Sequence, residues 1–357
     1  MTLRLAVVCD YLEEGWPSMD LVAEMLVAHA RDLAEVDLLR PALPRLPGLA
    51  GEAAWERAFG RYVHYPSYVL ARRRRFDAFH LADHSYAHLA LALPARRVGV
   101  YCHDLEAFRA TFPDSARAGW RRRLAELLLA GLRRARVVFY STSAVRDEII
   151  ARRLLSPELL VHAPYGVCAE FTPRPDERDR AWAEQGDYVL HVGSLVPRKN
   201  PDFLLELFSK LAAERPQLKL VQVGGEWSVS QLTALASRGL AGRVIQRRGI
   251  SRHELAAIYR RARALLLPSK VEGFGLPVIE ALACGTPVVA SDLAVLREVG
   301  GSAATYCQVD DMADWAAALT HLLASPDSGR ESRLAWASRF AWSAHARTIV
   351  AAYRALS

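Results

Sequence analysis

Cysteine is scarce in this sequence and poorly placed for cross-linking. The chain of 357 residues has five cysteines, and no two of them form a Cys-x-x-Cys pair. An odd number at wide spacing argues against a disulfide framework and against a structural zinc site. Buried thiols in a reducing compartment are the simplest interpretation.

Long apolar runs are also lacking. No stretch reaches the roughly 20 apolar residues that a membrane-spanning helix requires. Residues 1–10 lead directly into an apolar strand, without the charged segment and cleavage site of a secretion signal. These features predict a cytoplasmic protein, or at most one that is peripheral on the inner face of the plasma membrane.

Lysine is rare, and several enzyme signatures are missing. Only four of the 46 basic residues are lysines. A sugar phosphorylase that uses pyridoxal phosphate needs a lysine for its Schiff base, and Lys270 is the sole candidate in a ligand-like loop. No G-x-G-x-x-G follows the first strand, which argues against a dinucleotide oxidoreductase. No G-x-S-x-G nucleophile elbow occurs either, which argues against an α/β hydrolase.

Strand and helix patterns alternate along the whole chain. Residues 3–9, 98–102 and 188–192 are apolar runs typical of buried strands, and amphipathic helical spacing follows them. Such alternation predicts parallel sheets with helices on both faces. The segment 171–179 combines two prolines with charged residues and is the best candidate for a linker. We therefore expect an α/β protein with two doubly wound domains.

The strongest local signal is the segment PSKVEGFGLPVIE at residues 268–280. It follows a predicted strand, and Pro277 stands where a helix is expected to begin. The glycines allow backbone N–H groups to approach a ligand, and the helix start favours a phosphate. Glu272 and Glu280 flank this loop and suit sugar and ribose hydroxyls. The alternative is an exposed loop with two ordinary glutamates.

Two further segments also follow predicted strands. GSLVPRKN (193–200) places Arg198 beside Lys199 before a helix, an arrangement that suits a diphosphate. YCHDL (101–105) places His103 and Asp104 at a strand end. The alternatives are a solvated Arg-Lys pair and a histidine that only caps a turn.

Together these segments resemble the large retaining glycosyltransferase family of the family 4 type, which includes sucrose synthase-like and bacterial O-antigen mannosyltransferase-like enzymes. The resemblance covers nearly the whole C-terminal half, and EGFGLPVIE matches the family's two-glutamate signature. The matching segments are 191–200, 220–227, 249–269, 272–292 and 296–301. Residues 340–354 resemble the family's last helix.

This resemblance implies the GT-B fold, with two Rossmann-like domains facing across a cleft. The N-terminal, acceptor-side domain would span residues 1–172, and the C-terminal, nucleotide-sugar-binding domain would span residues 173–338. The helix in residues 339–357 would cross back to the N-terminal domain.

The resemblance also implies roles for individual residues. Glu272 and His103 would be catalytic, with Glu272 holding the transferred sugar and His103 lying near the reacting carbon. Arg198 and Lys199 would bind the diphosphate, and Glu280 the ribose. The other donor-binding residues would be Gly193, Ser194, Gly224, Phe274, Gly275 and Leu276, and the acceptor-side residues would be Gly15 and Asp104.

Two segments depart from the family's pattern. The Gly-Gly loop that often follows the first strand is replaced by YLEEGWPSMD (11–20), which contains only Gly15. The usual Asn-Gly turn before the linker becomes Tyr165-Gly166.

The resulting expectation is a retaining, metal-independent hexosyltransferase without a cofactor. Its donor would be GDP-mannose, with a UDP-sugar as the next choice, and its acceptor a saccharide or lipid-linked saccharide in bacterial cell-surface polysaccharide synthesis. The alternatives are a nucleotide-sugar epimerase, a sugar phosphorylase-like enzyme, or a basic protein that binds nucleic acid or membranes.

The last alternative rests on two arginine runs at 72–75 and 121–123. They contain no interleaved aromatic residues, so they favour a solvated or membrane-facing patch over nucleic-acid binding. We hypothesise that both runs form one patch facing an anionic membrane.

Overall fold

The computed structural model describes residues 2–45, 53–112 and 119–356. The chain divides into two compact units. Unit 1 comprises Met1–Gly166 and Ala341–Ser357, and unit 2 comprises Val167–Phe340. Among the helices in the described residues, none has the length and apolarity needed to cross a membrane.

Unit 1 contains a parallel sheet of six strands in the order β2-β1-β3-β4-β5-β6. Its strands are β1 (Arg4–Val8), β2 (Glu35–Leu39), β3 (Ala78–Leu81), β4 (Val98–Cys102), β5 (Val137–Tyr140) and β6 (Leu160–His162). Its helices are α1 (Pro17–Ala30), α2 (Ala53–Phe59), α3 (Tyr65–Arg72), α4 (Trp120–Arg134), α5 (Ser143–Ala151) and the last helix of the chain (Trp342–Arg354). A π-helical turn, Gly60–His64, joins α2 to α3.

Unit 2 contains a second parallel six-stranded sheet in the order β12-β11-β10-β7-β8-β9. Its strands are β7 (Tyr188–Gly193), β8 (Lys219–Gly224), β9 (Val244–Arg247), β10 (Ala264–Leu267), β11 (Val288–Ser291) and β12 (Thr305–Cys307). Its helices are α6 (Arg178–Ala183), α7 (Pro201–Glu214), α8 (Val229–Ser237), α9 (Arg252–Arg261), α10 (Leu276–Ala283), α11 (Ala294–Gly300), α12 (Met312–Ala324) and α13 (Arg330–Ala337). The last helix of the chain, Trp342–Arg354, belongs to unit 1 and is named α14.

The central strands are buried along their whole length, as the apolar runs predict. Every residue of β4, β5, β10 and β11 is buried. Parallel strands covered by helices on both faces have no solvent-facing side, so their sequences are continuously apolar. The α/β fold class predicted from the alternation is therefore confirmed in both units.

Each sheet has a topological switch point, where the connections leave in opposite directions. In unit 1 the first strand, β1, lies between β2 and β3, and in unit 2 the first strand, β7, lies between β8 and β10. Ligands in such sheets bind beyond the carboxyl ends of the strands at this point. The expected ligand-binding positions are therefore the carboxyl ends of β1 and β3 in unit 1 and of β7 and β10 in unit 2.

The proline-containing segment 171–179 lies inside unit 2, although its composition predicts a linker. Asp179 accepts hydrogen bonds from the Arg260 guanidinium, with an Nη2–Oδ2 distance of 2.6 Å, and Asp176 lies 3.1 Å from the same nitrogen. The units divide between Gly166 and Val167 instead. The charged residues Asp176 and Asp179 thus bind the segment to α9 through Arg260.

The two arginine runs lie at opposite ends of the strands of unit 1. Residues 72–75 end α3 and precede β3, so they lie at the amino ends of the strands. Residues 121–123 begin α4, whose far end is fixed where the Arg136 N–H donates to Val98 O at the start of β4. Because α4 has 15 residues, about 22 Å separates its two ends. One combined patch would therefore have to extend over about this length, and the hypothesis stays a prediction.

Candidate functional site

A buried ion pair occupies the switch point of unit 2. Lys199 follows β7 and Glu272 follows β10, and the Lys199 Nζ lies 2.5 Å from Glu272 Oε1. Ser269 Oγ donates to the same oxygen over 2.7 Å, and Arg198 Nη1 lies 3.7 Å from Oε2. The Glu272 and Lys199 side chains are only 4% and 10% exposed, whereas that of Arg198 is 49% exposed. Two predicted donor-binding residues, Arg198 and Lys199, therefore converge on the carboxylate of Glu272, the residue predicted to be catalytic.

The helix that follows this loop begins at a glycine that no other residue can easily replace. Gly275 has φ 95° and is the N-cap of α10. A Cβ at this position would lie 2.7 Å from Leu296 Cδ2. Leu276 is the first helical residue, and Pro277 follows it. The chain thus turns sharply and directs the positive end of the α10 dipole toward the carboxyl edge of the sheet.

Other predicted donor residues line the same edge. Gly193 and Gly224 end the neighbouring strands β7 and β8, and a Cβ at Gly224 would lie 2.9 Å from Gly193 O. Ser194 is exposed beside them. The Phe274 ring packs edge-on against the Phe340 ring, with 6.1 Å between the ring centroids, and this contact fixes the loop before α10. Because the two glycines have no side chains, the backbone at this edge of the sheet is left largely uncovered.

Glu280 lies one turn into α10 and is buried. The Tyr259 hydroxyl donates to its Oε2 over 2.9 Å. Burial raises the pKa of Glu280 to about 7, although the Tyr259 hydrogen bond and the charge of Arg252 oppose this rise. Its charge is therefore sensitive to pH near neutrality. Tyr259 is a partner that sequence reasoning missed.

A second set of contacts joins the two loops of this site. The Lys270 backbone N–H donates to Arg198 O over 2.8 Å, and Lys270 Nζ lies 2.8 Å from Asp310 Oδ2. Asn200 Nδ2 donates to Asp310 Oδ1 over 2.7 Å. The one lysine considered for a Schiff base is thus paired with a carboxylate, which weighs against phosphorylase chemistry.

In unit 1, His103 follows β4 and is buried. Its Nε2–H donates to Ala82 O over 2.7 Å, and its Nδ1 accepts a hydrogen bond from the Tyr165 hydroxyl. Burial lowers the pKa of His103 to about 4, so the ring is neutral at physiological pH. Both ring nitrogens have protein partners, which fixes the tautomer. Tyr165, the residue in the altered turn, is therefore what orients His103.

Asp104 pairs with a different histidine from the one next to it in sequence. His84 lies between two carboxylates, 3.3 Å from Asp83 and 3.4 Å from Asp104. Although burial opposes it, the Asp104 hydrogen bond and the charge of Asp83 raise the pKa of His84. The suspected His103–Asp104 pair is therefore replaced by an Asp83–His84–Asp104 cluster.

The loop after β1 lacks the Gly-Gly pair that is common in the family, and contacts of a charged residue, Glu14, hold it. Gly15 has φ 68° and ends the 3₁₀ turn Leu12–Glu14. Glu14 Oε1 accepts from the Tyr86 hydroxyl over 2.6 Å and lies 3.5 Å from Arg61 Nη1. Arg61 projects from the π-helical turn between α2 and α3. The predicted acceptor-side glycine therefore adjoins an ion pair.

One group of three side chains in the described residues has the spacing of a metal site. The ligand atoms of Asp83, His84 and His103 lie within 4.8 Å of one another. Both His103 nitrogens are already hydrogen-bonded, and both Asp83 oxygens accept from Ser85, over 2.7 and 2.8 Å. Each carboxylate oxygen keeps a second lone pair, but a metal ion would have to displace a hydrogen bond of His103, because each ring nitrogen has only one position. The group therefore does not fit a metal as it stands.

Comparison with known proteins shows the family of this chain. The model of the group 1 glycosyl transferases matches residues 174–339. The O-antigen chain mannosyltransferase B of Escherichia coli is 32% identical over 375 aligned positions, which cover 96% of this chain and 96% of that protein. The chain belongs to the group 1 glycosyltransferase family.

Two further proteins resemble this glycosyltransferase, one over part of its sequence and one in its fold. A D-inositol 3-phosphate glycosyltransferase of Segniliparus rotundus is 37% identical over 198 residues, or 51% of this chain and 44% of that protein. The chain thus matches less than half the length of that relative. Anabaena HepE, solved with UDP and glucose, has a TM-score of 0.78 at 15% identity, covering 99% of both chains. This likeness confirms the predicted GT-B fold class.

Proposed function

We propose that this glycosyltransferase transfers a hexose from a nucleoside diphosphate sugar to a saccharide or lipid-linked saccharide, with retention of the anomeric configuration. The observation that carries the proposal is the convergence of Arg198 and Lys199 on Glu272 at the switch point of unit 2. Two cations, a helix start and a buried carboxylate are the groups that a diphosphate and a sugar require.

Donor binding would exchange the partners within this cluster. A diphosphate carries the negative charge that Glu272 now supplies to Lys199 and Arg198, and it accepts hydrogen bonds from both. Once Lys199 turns toward the phosphate, Glu272 gains free oxygen lone pairs for hydroxyls of the transferred sugar. Glu280, one turn further along α10, would hold the ribose.

The sugar and base are proposed from the relatives. GDP-mannose is favoured because the relative that matches over 96% of the chain is an O-antigen mannosyltransferase. A UDP-sugar is the second choice, because HepE was solved with UDP and glucose. The nucleoside base would lie near residues 248–251, which precede α9. The acceptor in cell-surface polysaccharide synthesis would be reached from the inner face of the membrane.

The test is incubation with GDP-mannose and with UDP-glucose, followed by NMR of the product. Transfer to a glycoside with the donor's anomeric configuration supports the proposal, and an inverted anomer contradicts it. Conversion of the donor to an epimer without an acceptor would instead favour an epimerase.

Turnover is expected to be independent of divalent metal ions. The leaving diphosphate would be neutralised by Arg198, Lys199 and the start of α10, so no ion is needed for charge. Activity should therefore survive an excess of EDTA. A loss on chelation that magnesium or manganese restores would contradict this, and the Asp83–His84–His103 group would be the place to look.

Glu280 is expected to make donor affinity depend on pH. Its carboxylate accepts ribose hydroxyls, and with a pKa raised to about 7 it gains a proton as the pH falls below neutrality. Binding prefers the ionised form, so KM for the donor should rise about tenfold from pH 8 to pH 6, with a smaller change in kcat.

Glu280→Gln should have a KM that is high and independent of pH in this range. The nucleotide sugar is the probe because its diphosphate has no terminal group titrating near neutrality, unlike a nucleoside diphosphate. An equal pH dependence in both proteins would show that another group is responsible.

A further inference from the structure

A buried pair of carboxyl groups marks the switch point of unit 1. Asp10 follows β1 and is 3% exposed, and Asp83 follows the adjacent strand β3 and is 7% exposed. In the described part of the chain, no N–H or O–H group donates to Asp10 Oδ2, which is itself inaccessible to solvent. Buried carboxyl oxygens are normally satisfied by donors. The neighbouring Asp83 carboxyl group shares a hydrogen bond with Asp10, and the remaining lone pairs of the two groups are left for a donor from outside the chain.

The two carboxyl groups differ in charge. Burial and the neighbouring Asp83 raise the pKa of Asp10 to about 9. Although burial opposes it, the charge of His84 and the two hydrogen bonds from Ser85 lower the pKa of Asp83. Asp10 therefore carries a proton at neutral pH and Asp83 does not. One donor and several acceptor positions then lie side by side, which matches a hydroxyl group, since a hydroxyl both donates and accepts.

The surroundings of the pair do not favour an anion. Arg61 is paired with Glu14, and His84 lies between Asp83 and Asp104. Arg40, after β2, lies 2.5 Å from Asp20. Each of these cations is already matched by a carboxylate, whereas in unit 2 the two cations Arg198 and Lys199 share the single carboxylate of Glu272. A phosphate entering here would meet an excess of negative charge.

We infer that Asp10 and Asp83 form the hydroxyl-binding site for the acceptor, and that this site takes an uncharged sugar in preference to a phosphorylated one. The inference rests on the proposed glycosyl transfer and adds the acceptor's chemical class to it. It favours a neutral saccharide end over a phosphorylated cyclitol, although relatives of both names match this chain.

The first experiment compares acceptors. Methyl glycosides of mannose, glucose and N-acetylglucosamine are each supplied beside their 6-phosphates, with GDP-mannose or UDP-glucose as donor. The neutral form should have a kcat/KM at least tenfold higher than its phosphate. A preference for the phosphates would overturn the inference, because it would mean that Arg61, whose Nε lacks an acceptor in the described residues, leaves Glu14 to bind them.

The second experiment changes the site. Asp10→Ala should raise the acceptor KM at least tenfold and Asp10→Asn about threefold, because an amide still donates to Asp83, while the donor KM stays within threefold. Asp37→Asn, exposed on β2 of the same sheet, is the matched control and should change neither. An unchanged acceptor KM in Asp10→Ala would overturn the inference.

Donor hydrolysis separates this inference from the proposed function. If no glycoside serves as acceptor, water takes its place, and Asp10→Ala must then alter the hydrolysis rate relative to Asp37→Asn. An unaltered rate would overturn the inference while leaving the glycosyltransferase activity intact. A protein that neither binds nor cleaves either nucleotide sugar would contradict the proposed function itself.

Discussion

Replacing Glu272 with glutamine is expected to lower kcat by about 10²-fold without weakening donor binding. The sugar ring gains positive charge as its bond to the diphosphate breaks, and a carboxylate at hydrogen-bond distance stabilises that charge where an amide does not. In the unliganded protein the same carboxylate holds Lys199 at 2.5 Å. Removing its charge frees Lys199 for the diphosphate, so the Kd of the nucleoside diphosphate should stay equal or fall.

Glutamine is the informative substitution because alanine would confuse two effects. Both substitutions remove the counter-charge of Lys199, whose side chain is only 10% exposed. Glu272→Ala also removes the oxygen that accepts hydrogen bonds from Lys199 and Ser269, whereas the amide oxygen of glutamine can still accept them. Asp310→Asn is the matched control. It removes the half-exposed ion pair to Lys270 in the same region, and asparagine tolerates the positive φ of this position.

Steady-state kinetics and calorimetry provide the comparison. We expect Asp310→Asn to lower kcat less than about fivefold, since exposed ion pairs contribute at most about 1 kcal/mol. Equal losses in the two variants would show that Glu272 only shapes the loop. A weaker Kd for the nucleoside diphosphate in Glu272→Gln would contradict the proposed exchange of partners.

The sequence predicts the regular part of the fold because its signals are local. The strand Val98–Cys102 is predicted and observed with the same bounds, since an apolar run between turns is readable from five residues. The π-helical turn Gly60–His64 is not predictable in this way. Its position depends on contacts such as the Tyr11 hydroxyl donating to Gly60 O, across 49 residues of sequence.

In the candidate site, too, only the residues with a local sequence signal are predictable. Arg198, Lys199 and Glu272 are found from motifs that follow strands, because parallel strands bring their carboxyl ends to one edge. The partners that tune the predicted residues come from elsewhere in the chain. Tyr259 lies 21 residues from Glu280, and Tyr165 lies 62 residues from His103. Motif spacing carries no information about such pairs.

Asp10 and Asp83 could have been found with a rule that the sequence analysis did not apply to them. Each lies two residues after the end of an apolar strand, just as His103 and Asp104 follow β4. Once β1 and β3 are adjacent in the sheet, the two carboxyl groups must meet. What the sequence lacks is the strand order, which decides that β1 neighbours β3.

Replacing His103 with alanine is expected to lower kcat by about 10²-fold, in the range of a lost transition-state contact. The ring is neutral, and its two nitrogens are fixed by Ala82 O and the Tyr165 hydroxyl. A sugar hydroxyl would have to replace one of these two partners to contact the ring. The expected contribution of His103 is that of a neutral, preorganised group at the end of β4, not of a proton that it gains or loses. Since its pKa is lowered to about 4, kcat should show no His103 titration between pH 6 and pH 8.

Tyr165→Phe tests whether the orientation of the ring matters. It removes the hydrogen bond to Nδ1 and leaves the ring otherwise in place, so we expect kcat to fall by about tenfold with the donor KM unchanged. Tyr353→Phe is the matched control, because the hydroxyl of this buried tyrosine lies 3.1 Å from the Nδ1 of another buried histidine, His80.

Both tyrosine variants should lose similar stability in thermal unfolding, because each loses one buried hydroxyl, but only Tyr165→Phe should lose activity. Equal activity in the two would reduce Tyr165 to a packing residue. An unchanged kcat in His103→Ala would show that the catalytic residue of unit 1 has been assigned wrongly. The Asp83–His84–Asp104 cluster, which lies at the adjoining strand ends, would then be the next place to mutate.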